Sequence, residues 1–208
     1  MNIAIIGTGN IGAGIALALG KTKHGVVVAD TKGGVDAAAK LKAEGVTVQA
    51  ADIATAVKSA EVVILATPYG AAAEVVKAAD FSGKIVVDLS NPVKEDFSGL
   101  LLGHDSSAAE EIAKLVPGAR VVKAFNTIFA QHYPAGLSVN GQPLQTFVAS
   151  DDEAARDVVI GIAKDMGLDA RAAGGLSNAR YLEPLGYMNI QFGYMLGAGV
   201  GIAPAWVA

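Results

Sequence analysis

Six residues near the start, Gly7-Thr8-Gly9-Asn10-Ile11-Gly12, follow directly on the apolar run Ile3-Ala4-Ile5-Ile6 and open a segment of small and apolar residues ending at Leu19. Glycines at the first, third and sixth places of a strand-to-helix turn each do something a side chain would prevent. Gly7 permits the tight turn, Gly9 lets a ligand approach the backbone, and Gly12 lets helix and strand pack closely. The chemistry this suits is capture of a pyrophosphate by free N–H groups at the positive end of a helix dipole, hence binding of a dinucleotide. A tight turn without a ligand would use glycines in the same way. What separates the two readings is the strand before and the helix after, and the sequence supplies both.

A second candidate is Asp30, 18 residues beyond Gly12. At the end of a second strand, a carboxylate accepts the two hydroxyls of an adenosine ribose. A 2′-phosphate in that place meets a like charge, and two unit charges at about 4 Å repel by about 4 kcal/mol at an effective dielectric near 20. Asp30 therefore favours NAD over NADP. Thr31 and Lys32 work the other way, since a hydroxyl and an ammonium hold a phosphate if Asp30 turns aside. A helix-capping or solvated aspartate is the alternative.

Three further groups stand where strands should end. Thr67-Pro68-Tyr69 follows a fourth apolar run; Thr67 suits a phosphate or ribose hydroxyl, Tyr69 could cover a ring, and Pro68 stiffens the turn, although all three also serve as plain turn residues. Ser90-Asn91-Pro92 follows the fifth run, and Lys123-Ala124-Phe125-Asn126-Thr127-Ile128 spans the sixth and its exit. Both supply small polar groups suited to orienting a nicotinamide carboxamide. His132, a few residues on, reads more readily as a structural histidine than as a proton donor. No Ser–His–Asp set, histidine pair at metal spacing or pair of carboxylates at a strand end stands out. Hydride transfer between two rings needs proximity and orientation more than an acid or base.

The elements that must position these residues alternate in the α/β manner. Strands are expected at Asn2–Ile6, Val26–Asp30, Val46–Gln49, Glu61–Thr67, Lys84–Leu89, Arg120–Ala124, Gln145–Ala149 and Asp169–Ala172. Helices are expected at Asn10–Gly20, Val35–Ala43, Ile53–Ser59, Gly70–Ala79, Ser107–Leu115, Asp152–Met166 and from Leu176 to Gly197, with a long loop over Asn91–His104. This predicts a doubly wound, mostly parallel sheet of Rossmann type, with residues 1–150 binding the dinucleotide and 151–208 forming a small helical lobe of the same compact unit.

The bulk properties narrow the partners. The chain has 208 residues, 52% hydrophobic and 17% charged, a net charge of −4 and no cysteine. Such a charge gives no reason to expect nucleic acid or an anionic membrane, and the absence of thiols excludes disulfides and thiolate metal sites and accords with a cytoplasmic setting. The start does not read as a secretory leader. Leu185–Val207 carries no charge and is long enough to span a bilayer, but Asn189, Gln191, Pro204 and its glycines make a buried or homodimer-interface helix the expectation.

Taken together, Gly7–Gly12, Ser90–Pro92, Lys123–Thr127 and the late run Gly174-Gly175-Leu176-Ser177-Asn178-Ala179-Arg180-Tyr181-Leu182-Glu183-Pro184 resemble the deazaflavin (coenzyme F420)-dependent NADP oxidoreductases and the nucleotide-binding domain of the STEAP metalloreductases. The resemblance implies a hydride passing between nicotinamide carbon 4 and position 5 of a flavin or deazaflavin ring, in a dimer. It places Thr8, Asn10 and Ile11 at the pyrophosphate and Pro68, Asn91 and Asn126 around the nicotinamide. Ile128, Leu176 and Ser177 would border the acceptor pocket. Where NADP-binding members carry a small polar residue and an arginine, this chain has Asp30 and Thr31. Read without the family, Ser177 or Asn178 would cap the final helix, and Arg180 with Glu183 would form an exposed pair. Two other functions stay open: a small 3-hydroxyacid or imine dehydrogenase, which needs an acid–base group on a longer second domain, and a nucleotide-binding sensor without turnover.

Overall fold

The computed structural model describes residues 1–207. The first eleven regular elements alternate: β1 (Asn2–Ile6), α1 (Asn10–Leu19), β2 (Gly25–Ala29), α2 (Val35–Ala43), β3 (Gln49–Ala50), α3 (Ile53–Ser59), β4 (Val62–Leu65), α4 (Ala72–Lys77), β5 (Ile85–Asp88), α5 (Ala108–Leu115) and β6 (Arg120–Lys123). The strands form one parallel sheet in the order β3-β2-β1-β4-β5-β6. The order reverses between β1 and β4, and ligands bind beyond the carboxyl ends of strands at such a switch point. The glycine turn leaves β1 at this place.

The strands are apolar on both sides because both faces are covered. Side chains alternate across the sheet: Ile3 and Ile5 join Ile15, Leu19, Val28, Ile64 and Val122 on the face packed by α1 and by the later helix over Glu153–Asp165, while Ala4 and Ile6 join Val57, Val63, Leu65, Val86 and Ile112 on the face packed by α3 and α5. Helix starts are fixed locally. Asp52 and Asp152 accept from the backbone N–H of Thr55 (2.9 Å) and Ala155 (2.7 Å), and Ser107 from that of Glu110, each occupying a donor the helix itself leaves free.

Beyond β6 come a short hairpin of β7 (Ser138–Val139) and β8 (Gln142–Pro143), then β9 (Gln145–Val148), α6 (Glu153–Asp165), β10 (Asp169–Ala172) and α7 (Ala179–Ile190). β9 and β10 pair in parallel. They continue the main sheet through one antiparallel bridge, in which Lys123 and Ala149 exchange backbone hydrogen bonds of 2.8 and 3.0 Å. The outer strand β10 carries an ion pair between Asp169 and Arg171 at 2.9 Å.

Three expectations are corrected. The strand proposed for Val46–Gln49 is only the two residues Gln49–Ala50, because Gly45 (φ +86°) and Val46 are used to close α2, the Val46 N–H donating to the Leu41 carbonyl. The hairpin was not foreseen although Asn140-Gly141, with φ of +51° and +74°, is the dipeptide that two-residue hairpin turns select. The final helix is not continuous. A 3₁₀ turn over Leu176–Asn178 precedes α7, and a π turn over Gln191–Met195 follows it. The tail then folds back on β9, where Gln145 and Trp206 exchange hydrogen bonds of 2.7 and 2.9 Å and the Trp206 ring meets Phe147 edge-on at 4.9 Å. Among the described residues no helix is long and apolar enough to cross a membrane.

Candidate functional site

The glycine turn is built so that three glycines do three different things. Gly7 has φ +102°, and a Cβ there would lie 2.6 Å from the Ala66 carbonyl oxygen; a Cβ on Gly12 would lie 1.9 Å from that of Gly7. Around Gly9 the corresponding space holds nothing within 4 Å. Gly9 also caps α1 without a side-chain bond, so the first N–H groups of the helix meet this open space. The chain has kept a cradle clear where an anion would be held by backbone donors and the helix dipole.

Two hollows meet at the helix start and share Asn10, Ala130 and Gln131. The larger, about 530 Å³, is lined by Gly9–Ile11, by Ala66–Pro68 after β4, by Leu89–Asn91 after β5, by Phe125–Gln131 after β6, by Val93 and Phe97 of the long loop, and by Gly186, Asn189, Ile190 and Tyr194 from α7 and the π turn. The smaller, about 500 Å³, is lined by Thr8, Asp30, Lys32, Asp36, Lys40 and Glu44 among others. Together they form a trough running across the strand ends.

Asp30 is fixed from three sides. Its Oδ2 accepts from the Thr8 hydroxyl at 2.5 Å, and its Oδ1 from the backbone N–H groups of Lys32 (2.7 Å) and Gly34 (2.9 Å). The Thr8 bond foremost, with those of Gly34 and Lys32, holds its carboxyl below the usual range. An ionised carboxylate thus stands in the smaller hollow.

In the larger hollow two asparagines interlock. Asn91 Nδ2 donates to the Asn126 carbonyl (2.8 Å), while Asn126 Nδ2 donates to Asn91 Oδ1 (2.9 Å) and to the Leu182 carbonyl (2.7 Å). Gly186 packs against this pair so closely that a Cβ would come within 2.6 Å of Asn91 Oδ1. Phe125 carries φ +61°, costly for a bulky residue, and its N–H donates to Thr146 Oγ1 at 3.1 Å. The hydroxyls of Thr67 and Thr127 are buried without a hydrogen-bond partner, and both residues line the cleft. Buried polar groups in folded proteins are nearly always paired. Two unpaired hydroxyls beside a clear backbone cradle fit a polar cofactor.

Behind this wall lies a cluster of three buried charges. The Lys123 ammonium donates to Asp88 Oδ2 (2.7 Å), Glu183 Oε1 (2.8 Å) and the Ser90 carbonyl. Asp88 Oδ1 also accepts from the Ser90 N–H (2.9 Å) and hydroxyl (2.7 Å), and Glu183 accepts from the N–H groups of Ala108 (2.9 Å) and Ala109 (3.2 Å) at the start of α5. Burial pushes the Glu183 carboxyl above its ordinary value, against the pull of Lys123.

Most expected residues come together here. Gly9, Asn10, Ile11, Thr67, Pro68, Asn91, Asn126 and Ile128 line the larger hollow, and Thr8, Asp30 and Lys32 the smaller, with Gly7 and Gly12 shaping the turn. Others do not join them. Thr31 is exposed and lines neither hollow; Tyr69 is half-buried, its hydroxyl raised by burial and by Glu111 and Glu183, and also lines neither. Leu176 belongs to the core with Ile112, and Ser177 is exposed. The 3₁₀ turn carries both away from the cleft, which is met more than two helical turns later, at Gly186. Arg180 pairs with Glu110 at 2.7 Å and not with Glu183, which faces inward at 2% exposure. His132 is buried, its Nε2 3.0 Å from the Ile202 carbonyl oxygen. Sequence reasoning missed Phe97, Gly186, Asn189, Tyr194 and the Lys123 cluster. Only the buried charge in the apolar run Val121-Val122-Lys123-Ala124 hinted at the last.

Comparison with known proteins agrees with this architecture. The family model described as NADP oxidoreductase coenzyme F420-dependent matches residues 2–92. The F420-dependent NADP reductase of Methanocaldococcus jannaschii is 30% identical over 200 residues, 89% of each chain. The rat metalloreductase STEAP3 is 35% identical over 131 residues, of which this chain spans 26% of the length and contributes 62% of its own. A crystal structure from Arthrobacter sp. FB24, described as a candidate F420-dependent NADP-reductase, superimposes with a TM-score of 0.81 at 27% identity over 94% of both chains. An imine reductase from Pseudomonas sp., at 19% identity and a TM-score of 0.68, shares the fold. The chain therefore belongs to the family of coenzyme F420-dependent NADP oxidoreductases, enzymes built on a Rossmann-type fold.

Proposed function

We propose that the chain transfers a hydride between a nicotinamide dinucleotide and a flavin-like or deazaflavin ring. The observation that carries this reading is the make-up of the larger hollow: a backbone cradle at one end, an apolar wall of Ile128, Phe129 and Ile190 at the other, and no carboxylate, ammonium, guanidinium or imidazole lining it among the described residues. Its phenol is that of Tyr194, whose ring packs edge-on against Phe129 at 5.4 Å. Reduction of a carbonyl or imine calls for a positioned proton donor. Hydride exchange between two rings calls for close, oriented stacking. That favours a ring acceptor over the 3-hydroxyacid or imine substrates of enzymes with the same fold.

When bound, the nicotinamide supplies the hydride from its carbon 4. The chain's part is to hold and to exclude. The turn amides bind the diphosphate, Thr67 and the Asn91–Asn126 pair orient the ring's amide, and the apolar wall keeps water from the reacting face. Mixing the protein anaerobically with NADH and either FMN or an 8-hydroxy-5-deazaflavin in a stopped-flow instrument should bleach the acceptor as NADH fluorescence falls. Loss of neither signal with either acceptor would leave a nucleotide-binding sensor as the better reading.

NADH is the preferred donor in this proposal. Asp30, Asp36 and Glu44 bring three negative charges to the smaller hollow, against the two positive charges of Lys32 and Lys40, and Asp30 is held ionised by Thr8. Fluorescence titration should show tighter binding of NADH than of NADPH. Asp30→Ser should improve NADPH affinity by about tenfold, a part of the full repulsion of two close charges. A parent that already binds NADPH more tightly would refute the assignment.

A further inference from the structure

The buried charges lie outside the cleft, and the hydride reading gives them no task. Their connections supply one. Each of the three N–H bonds of the Lys123 ammonium ends on a different element: Asp88 at the end of β5, the Ser90 carbonyl on the segment leading to Asn91, and Glu183 on α7. Glu183 in turn ties α7 to the first N–H groups of α5. One turn further along α7, Gly186 rests on the amides of Asn91 and Asn126, and Asn189 donates to the Thr127 carbonyl at 3.2 Å. The strand ends and α7 are the two sides of the larger hollow. Lys123 and Glu183 are the charged link between them, with Lys123 fully buried and Glu183 2% exposed.

Resting on the hydride-transfer reading, we propose that Lys123 and Glu183 are positioning residues that set the width of the cleft, fixing how far the ring carried on the strand ends stands from the ring laid against α7. A simple core contact would be served as well by apolar side chains, and often better. An ammonium with three directed bonds does what apolar packing does not: it fixes three elements at defined distances and angles. Hydride transfer is the kind of step that feels this, because a displacement of about 1 Å costs up to roughly a hundredfold in rate.

Two variants shift the α7 side without touching the glycine turn. Glu183→Gln preserves shape but sets an amide N–H against donors on Lys123 or Ala108. Gly186→Ala introduces a Cβ where 2.6 Å separates it from Asn91 Oδ1 and 2.9 Å from Asn126 Nδ2. In single-turnover mixing with NADH and FMN or the deazaflavin, each should lower the transfer rate by roughly tenfold to a hundredfold. The Kd for NADH should stay within about twofold of the parent in Glu183→Gln, and in Gly186→Ala, whose Cβ presses on Asn91 and Asn126, should change by clearly less than the rate. Glu183→Asp, which keeps the charge, should recover part of the loss. Unchanged transfer in both variants, or a loss of NADH affinity as large as the loss of rate, would overturn the spacing role. Should Glu183→Gln fail to fold, Glu183→Asp, one methylene shorter at the same link to Lys123, decides against the parent on the same readouts, with Gly186→Ala beside it. If the parent itself transfers no hydride, the functional reading falls. The spacing role is then judged by the affinity of the NADH-loaded protein for FMN, which Gly186→Ala should weaken at least fivefold; equal affinity would refute it.

Discussion

Replacing Gly9 with valine should leave the melting temperature within about 3 °C of the parent, while nicotinamide nucleotide binding weakens by roughly a hundredfold, or about 2.7 kcal/mol. The two effects separate because Gly9 is free of its own fold. Its φ of −67° and ψ of −174° are open to any residue, and no atom stands within 4 Å of a Cβ there. A branched side chain would then fill the cradle at the helix start, where backbone donors must reach an anion directly. Gly12 provides the contrast: a Cβ 1.9 Å from the Gly7 carbonyl forces the turn itself apart. Gly12→Val should therefore lower stability and binding together. Thermal melts and NADH titrations on the two variants check both halves. Undiminished binding in the Gly9 variant would show that this space is not where a nucleotide sits.

Lys123→Met should destabilise the fold by about 3–5 kcal/mol, the usual consequence of removing one partner of a buried ionic group. At roughly 2–4 °C per kcal/mol for a chain of this size, the melting temperature should drop by about 6–20 °C. Removing the ammonium leaves Asp88 and Glu183, both nearly inaccessible, without their shared cation. Methionine fills much of the same volume, so cavity formation is not the main cost. The loss should shrink on acidification, because Glu183, whose carboxyl burial already pushes above its ordinary value, takes up a proton and relieves the repulsion that the substitution exposes. Melts of the variant and parent at pH 5 and pH 8 measure this. A variant as stable as the parent at pH 8 would show that the cluster contributes little to folding.

The sheet was legible because parallel strands covered on both faces write themselves as apolar runs, and because each run ends in a polar or glycine-bearing turn. Val62–Leu65 and Ile85–Asp88 show this plainly. The open turn at the start of α1 was legible for a related reason: glycine spacing records backbone requirements, which are local. The far side of the larger hollow was not. Leu176 and Ser177 looked suitable by position, but the start of this segment is anchored by Asp151, whose carboxylate accepts from the Leu176 N–H at 2.8 Å across 25 residues. Gly186 looked like an ordinary helix glycine, since its need for closeness arises from Asn91 and Asn126, far away in sequence. Glu183 and Arg180 invited pairing at a helical spacing of three, yet each found its partner on α5 or β6. Charged side chains carry no mark in the sequence of which long-range partner will claim them.

The two borders of the extended sheet are unlike its interior. On one side β3 offers only Gln49 and Ala50, and on the other β10 presents Asp169 and Arg171 already engaged with each other. An open strand of unpaired amides and carbonyls recruits further strands from other molecules unless it is short or bears charge. Here the first border is too brief to template an incoming chain, and the second greets it with a satisfied ion pair. Growth of the sheet from one molecule into the next is thereby discouraged at both ends, which leaves the chain's apolar composition free to serve its interior.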